Sequence, residues 1–272
     1  MRLVILTYES RQANLMTHRL LTEFPGQVVG IMYSEVIAPG KNTWQALWFL
    51  LRRTGLAFVG RKGLEILLGR AAGVFFRLSG RRPAVPSLRQ MAADFSVPLV
   101  GAKNVNAPAA FQTLQSWQPD LIISVYLNQL IRPRVINLPG KGVINVHGAL
   151  LPKNRGLFPY FWALANGDAE TGVTVHWVDP KFDAGDILLQ ERLPIAPDDT
   201  VISLARKTAK LGAELLVQAV KLIAADQAPR LSQDSAQASY FSWPTPADMR
   251  RFKQRGRKYG SIKEMWQELV RD

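Results

Sequence analysis

The sequence predicts an α/β fold, a mostly parallel sheet with helices on both faces, and three observations predict it. The first half of the chain alternates strand-like with helix-like segments. Its strand-like segments are continuous apolar runs, the pattern of strands covered on both faces. At 272 residues and 47% hydrophobic content, the chain can also bury a substantial core.

Arg2–Thr7 is a short apolar run with β-branched residues, and Asn14–Phe24 has helical spacing through Leu15, Leu20 and Leu21. Gln27–Tyr33 and Val97–Val100 are predicted strands, Ala107–Trp117 a helix, and Asp120–Tyr126 and Gly142–Val146 buried strands. Ligands of such sheets bind beyond the carboxyl ends of the strands. After residue 150 the pattern changes. Gly172–Val178 and Ile187–Leu193 read as a hairpin at the sheet edge, and Thr200–Ala225 as a long amphipathic helix with Asp198 and Asp199 near its N-terminus.

Two segments exceed a minimal α/β domain. Residues 40–85 form a basic, apolar insertion: Trp44–Leu78 interleaves six aromatics with Arg52, Arg53, Arg61, Lys62, Arg70 and Arg77, and Glu65 is its only acid. Glycines at 55, 60, 63, 69 and 73 predict two or three short helices instead of one. The segment reads as a helical subdomain packed on the core, or as a surface that meets an anionic membrane. The second segment is a short basic C-terminal extension, 229–272, which holds the run Met249–Lys258; residues 1–228 form the main domain.

Absence of cysteine excludes a disulfide framework, a thiol nucleophile and a Cys-based zinc site. The N-terminus MRLVILTYES reads as a first strand and not a signal peptide, and no run of 18 apolar residues predicts a spanning helix. A cytoplasmic location, membrane-peripheral at most, is the expectation. The formal net charge of +13 favours anionic partners. Oligomeric state leaves no signal.

The stretch Gly142–Leu193 carries the chemistry: Asn145-Val146-His147 closes a strand, Leu150-Leu151-Pro152-Lys153-Asn154-Arg155-Gly156 follows, and Phe182-Asp183-Ala184-Gly185-Asp186 comes later. In a strand, residues i and i+2 share a face, so Asn145 and His147 project together from the carboxyl end. In this order the motifs resemble the folate-dependent formyltransferases, a family that includes glycinamide ribonucleotide transformylase, methionyl-tRNA formyltransferase and sugar N-formyltransferases. The resemblance covers roughly residues 1–225 and implies a Rossmann-like fold, with 10-formyltetrahydrofolate as formyl donor and no metal.

That chemistry needs donors for a developing oxyanion, proton transfer between attacking amine and leaving nitrogen, and a fixed attack geometry. The resemblance assigns Asn145 to polarise the formyl oxygen, His147 to stabilise the adduct and move protons, and Asp183 to charge or orient His147. Of the other histidines, His176 matches a position lining the site, and His18 lies on a predicted surface helix. Asp186 reads as a turn residue. The pterin pocket is expected from the loop Tyr126, Leu127, Asn128, Gln129, Leu130 and Ile131, closed on the other side by Asp179–Asp183.

The acceptor is a small amine: an amino sugar, an amino acid or a lipid-linked amine. After the first strand, Ser10 and Arg11 could hold an anion, although the glycine-rich phosphate loop of the ribonucleotide transformylases is missing. Arg155 opens an aromatic run, residues 155–162, that an amino sugar could stack on or that packs as core. The extension after Pro229 is too short for the β-barrel of methionyl-tRNA formyltransferase, so tRNA is not expected as a partner. A formyltetrahydrofolate hydrolase and a non-catalytic folate-binding protein are the alternatives.

Overall fold

A computed structural model describes residues 1–36 and 40–270. Strand β1 (Leu3–Tyr8), helix α1 (Arg11–Glu23) and strand β2 (Val28–Ser34) open the chain, followed by α2 (Thr43–Thr54), α3 (Leu56–Ser79) and α4 (Leu88–Asp94). Then come β3 (Leu99–Ala102), α5 (Pro108–Ser116), β4 (Leu121–Val125), α6 (Pro133–Ile136) and β5 (Val143–His147). The second half holds β6 (Arg155–Gly156), α7 (Pro159–Asn166), β7 (Glu170–Trp177), β8 (Ile187–Pro194) and α8 (Val201–Ala224), and it ends with β9 (Tyr240–Phe241), α9 (Pro246–Gln254) and α10 (Ile262–Val270).

Seven strands form one sheet in the order β3-β2-β1-β4-β5-β7-β8. The first five are parallel; β7 runs antiparallel to β5, and β8 antiparallel to β7. Strand alternation sorts the core into two layers. Leu3, Ile5, Leu121, Ile123, Ile144, Val146, Val173 and Val175 pack with α1 and α8 on one face. Val4, Leu6, Ile122 and Val143 pack with α5 and Val135 on the other. Asn145 and His147 share the parity of Val143, so they project from this second face at the carboxyl end of β5. The sequence reading of strands and helices in this part agrees with the structure to within a few residues, as does the edge hairpin β7–β8.

The insertion holds two helices, as expected in number, but the second is not short. It holds one break, at Gly55, where φ is +84°, and then a single 24-residue helix, α3. Gly60, Gly63, Gly69 and Gly73 lie inside α3, and a Cβ on any of them would meet nothing within 4 Å. Each costs about 1 kcal/mol of helix propensity relative to alanine. Packing offsets that cost: Ala72 and Phe58 are buried, Phe75 meets Trp266 of α10 edge-on, and the Arg61 guanidinium donates to the Gly260 carbonyl at 2.6 Å. Phe58 sits among the rings of Phe158, Trp243 and Tyr259. The insertion and the C-terminal extension therefore pack together and onto α7.

The expectation that this segment meets a membrane is withdrawn. Part of its aromatic and basic content faces inward or pairs with itself: Arg61 stacks on Tyr259, Arg52 on Trp48, and Lys62 pairs with Glu65 at 2.6 Å. Trp44, Trp48, Ile66, Leu67 and Leu78 remain exposed. Among the described residues, no helix is long and apolar enough to cross a membrane.

Candidate active site

The register of β5 against β7 builds the site. Asn145 lies directly opposite His176, and His147 opposite Thr174. Because directly opposed residues share a face, Asn145, His147 and His176 converge at one end of the sheet. The loop after β7 then returns Asp183 to them.

Hydrogen bonds fix the protons. His176 Nδ1 lies 2.8 Å from the Trp177 carbonyl oxygen, which only accepts, so Nδ1 carries the hydrogen. In the neutral ring Nε2 is then an acceptor, and the Asn145 amide turns its NH2 toward it at 3.0 Å. The second Asn145 N–H meets Asp183 Oδ1 only at 3.4 Å. It is the longer of the two Asn145 bonds. His147 follows the same logic: Nε2 donates to the Asn154 carbonyl at 2.8 Å, which leaves Nδ1 bare in the neutral ring. That nitrogen faces Asp183 Oδ2 at 3.7 Å.

Asp183 stands between the two imidazoles, with Oδ1 3.5 Å from His176 Nε2 and Oδ2 accepting the Gly156 N–H at 2.9 Å. Burial pushes its carboxyl up, but His147, His176 and the Gly156 N–H outweigh burial and hold it well below the usual carboxylate range. Its φ is +49°, the left-handed region that favours glycine and that asparagine and aspartate adopt more readily than other side chains. The cluster is nearly sealed, with side-chain exposures of 7% for His147, 3% for His176 and 13% for Asp183.

The expected pterin residues divide. Gln129 is buried and saturated: it accepts the Val105 N–H at 3.0 Å and donates to Ser34 Oγ at 2.7 Å. Ile131 belongs to the core under β1 and β4. Tyr126 packs on the α1–α8 side, away from Asn145, and burial pushes its hydroxyl up to about 12. Leu127, Asn128 and Leu130 are half-buried, and Asn128 Nδ2 donates to the Val36 carbonyl at 2.6 Å. Asp179 shapes its own turn by accepting the Lys181 N–H at 2.9 Å. Asp186 accepts the Trp177 N–H through its carbonyl and does not enter the cluster.

Ser10 caps α1, accepting the Ala13 N–H at 3.2 Å, and Arg11 is the first residue of that helix. Arg155 donates to Gln233 Oε1 at 2.6 Å and lines a shallow groove of about 400 Å3 with Phe182, Ser239 and Tyr240. A larger cavity, about 920 Å3, opens beside Leu130, with Lys41, Lys103 and Arg132 on its walls. Phe161 and Trp162 of the aromatic run are core, stacked on Phe252 and Phe241 of the extension. Among the described residues, no group of three His, Asp or Glu is placed to hold a metal ion.

Sequence reasoning missed the groups that hold the cluster from outside: the Asn154 carbonyl, the Gly156 N–H, Gln233, and Ser239, whose Oγ accepts the Asn154 N–H at 2.9 Å. All four act through backbone atoms or bond to them. Gln233 and Ser239 lie in a tail without a motif, so no sequence signal marks them.

A sequence model of the formyl transferase family matches residues 81–220. The chain is 39% identical over 161 residues to the methionyl-tRNA formyltransferase of Moorella thermoacetica, covering 59% of this chain and 52% of that protein. It thus spans about half the length of the curated relatives it matches. Among solved structures, glycinamide ribonucleotide transformylase 1 from Symbiobacterium toebii superposes with a TM-score of 0.59 at 20% identity, covering 86% of this chain and 93% of that one. The N-formyltransferase from Helicobacter canadensis, solved with folinic acid and dTDP-3-aminofucose, superposes with a TM-score of 0.56 at 19% identity, covering 89% and 71%. At those identities the likeness is one of fold.

One expectation is overturned. The length of the extension argued against tRNA as a partner, yet the relatives of Moorella thermoacetica and Syntrophus aciditrophicus, 39% and 38% identical, are methionyl-tRNA formyltransferases. The length of the extension is a weak argument, since the shared 161 residues leave nearly half of each relative outside the comparison.

Proposed function

The chain belongs to the formyl transferase family, and from that premise we propose that it moves a formyl group from 10-formyltetrahydrofolate to an amine. One observation carries the reading: a largely buried Asn145–His176–Asp183–His147 cluster in which one Asn145 N–H is held only by a long 3.4 Å bond to Asp183 and the His147 Nδ1 faces the same carboxylate at 3.7 Å, so both are placed to meet a reacting group. The overall exchange is R–NH2 plus formyl-N10 giving R–NH–CHO plus H–N10. A proton therefore leaves the amine and one reaches N10.

In this reading the Asn145 N–H exchanges its long bond to Asp183 for the formyl oxygen as negative charge grows there. His147 Nδ1 takes the proton that the amine loses, and Asp183, ionised at 3.7 Å, stabilises the resulting imidazolium. The bond from His147 Nε2 to Asn154 keeps the ring from turning its other nitrogen into the site. Leu127, Asn128 and Leu130, half-buried on the loop after β4, would hold the pterin, with the 179–183 turn opposite. Gln129 and Ile131 would support that loop from within.

An aminoacyl-tRNA is the acceptor to test first. Relatives 39% and 38% identical act, by name, on methionyl-tRNA, and a net charge of +13 suits a phosphate backbone. The test is release of tetrahydrofolate from 10-formyltetrahydrofolate with methionyl-tRNA, with pooled amino-sugar nucleotides, and with no acceptor. Turnover with methionyl-tRNA supports the reading in full. Turnover only with an amino sugar keeps formyl transfer and rejects tRNA, and turnover without any acceptor makes the protein a hydrolase. No turnover and no binding of the folate rejects the proposal.

A further inference from the structure

Gln233 lies between α8 and β9, outside residues 81–220 that match the family model. Its amide makes three bonds to the rim of the candidate site. Nε2 donates to the Asp183 carbonyl at 3.0 Å and to the Gly185 carbonyl at 2.7 Å, while Oε1 accepts from Arg155 Nη2 at 2.6 Å. Both amide hydrogens are thus engaged. The two carbonyls flank Ala184, so one side chain clamps the whole turn.

The bonds close a circuit. Asp183 Oδ2 accepts from the Gly156 N–H, Gly156 follows Arg155, Arg155 donates to Gln233, and Gln233 returns to the Asp183 carbonyl. The restraint bears on Asp183 because its φ of +49° is a minority conformation for a residue with a Cβ, one that aspartate tolerates better than most, so the turn has other backbone states to be held against. Without the clamp, the turn can relax toward a more favoured backbone and swing the carboxylate away from the imidazoles. We propose that Gln233 is a positioning residue that fixes the Asp183 turn against β6, so that the carboxylate stands between His147 and His176. The proposal rests on the reading of Asp183 as the acid of the formyl-transfer site.

The groups that face the Asp183 carboxylate are His147 and the Asn145 amide from β5, His176 from β7, the Gly156 N–H from β6 and Tyr240 from β9. None is changed by Gln233→Met, which keeps side-chain length and removes every amide bond. In the full chain, the Asp183 carboxyl carbon is followed by NMR against pH in wild type and Gln233→Met. In the variant the carboxylate titration moves up toward the ordinary range. With an acceptor that supports turnover, kcat falls about tenfold or more while KM for the folate changes little. An unshifted Asp183 titration in a folded variant overturns the proposal. So does unchanged kcat.

A second measurement needs no variant. In wild type the Gln233 side-chain amide protons exchange with solvent far more slowly than those of an exposed glutamine. Exchange at the free-glutamine rate refutes the clamp even if Gln233→Met fails to fold. If the wild type transfers no formyl group, the functional reading fails alone, because the titration and the amide exchange still decide the role of Gln233.

Discussion

Asn145 of β5 and His176 of β7 are direct cross-strand partners, and their side chains meet at 3.0 Å. The register thus sets the orientation of the amide proposed to polarise the formyl oxygen. Asn145→Ala is expected to lower kcat by about 10²–10³, the usual cost of one oxyanion donor. His176→Ala is expected to cost less, because Asn145 remains but is no longer steered. In steady-state assays the double variant should be no slower than Asn145→Ala. Additive losses would show that His176 acts on its own and not through the amide.

Asp183 makes stability depend on pH in a definite direction. Its carboxyl is held below its unfolded value, so its contribution is fully present above the unfolded pKa of about 3.9 and is lost as pH falls toward the lowered native value. Urea denaturation from pH 7 down to pH 3 should therefore show the wild type losing stability more steeply than Asp183→Asn below about pH 4. Parallel curves would mean that the carboxylate is not paired in solution.

What the sequence could show follows from what each feature depends on. Strands β1, β2, β4 and β5 were legible because both faces are buried, which forces continuous apolar runs. Asn145 and His147 were legible because strand period alone places them on one face. The pairing of Asn145 with His176 was not, since it depends on the register between two strands 31 positions apart. The motif puts Gln129 and Ile131 on the loop after β4 but does not show which way their side chains turn: Gln129 bonds Ser34 and Val105 at the wall of the larger cavity, and Ile131 enters the core. The unbroken helix α3 was hidden for a different reason: local propensity opposes it, and its support comes from Tyr259 and Trp266, about two hundred residues downstream.

Phe58, near the start of α3, should matter to stability, and the exposed Trp44 of α2 should not. Phe58 is 3% exposed among three aromatic rings, whereas Trp44 on α2 is 80% exposed. Phe58→Ala is expected to cost about 3–5 kcal/mol of unfolding free energy, and Trp44→Ala about 0.5 kcal/mol or less. Chemical denaturation of the two variants measures the contrast. Equal effects would mean that α3 does not dock on Phe158, Trp243 and Tyr259.

Gly156 joins backbone geometry to the candidate chemistry. Its φ is +96°, its N–H holds Asp183 Oδ2, and a Cβ there would collide with the Phe241 carbonyl of the paired strand β9. Gly80 also has positive φ, +65°, but a Cβ on it would meet nothing within 4 Å. Replacing Gly80 by alanine therefore tests the dihedral cost alone, about 1 kcal/mol, with kcat unchanged. Gly156→Ala adds a clash that must part β6 from β9 and shift the donor away from Asp183. It is expected to destabilise the protein by about 2 kcal/mol or more and to lower kcat at least tenfold, a loss of roughly 1.4 kcal/mol in transition-state binding. Denaturation midpoints and kcat measured on both variants separate the two effects. Loss of stability in Gly156→Ala with full kcat would place the β6–β9 pairing outside the catalytic cluster.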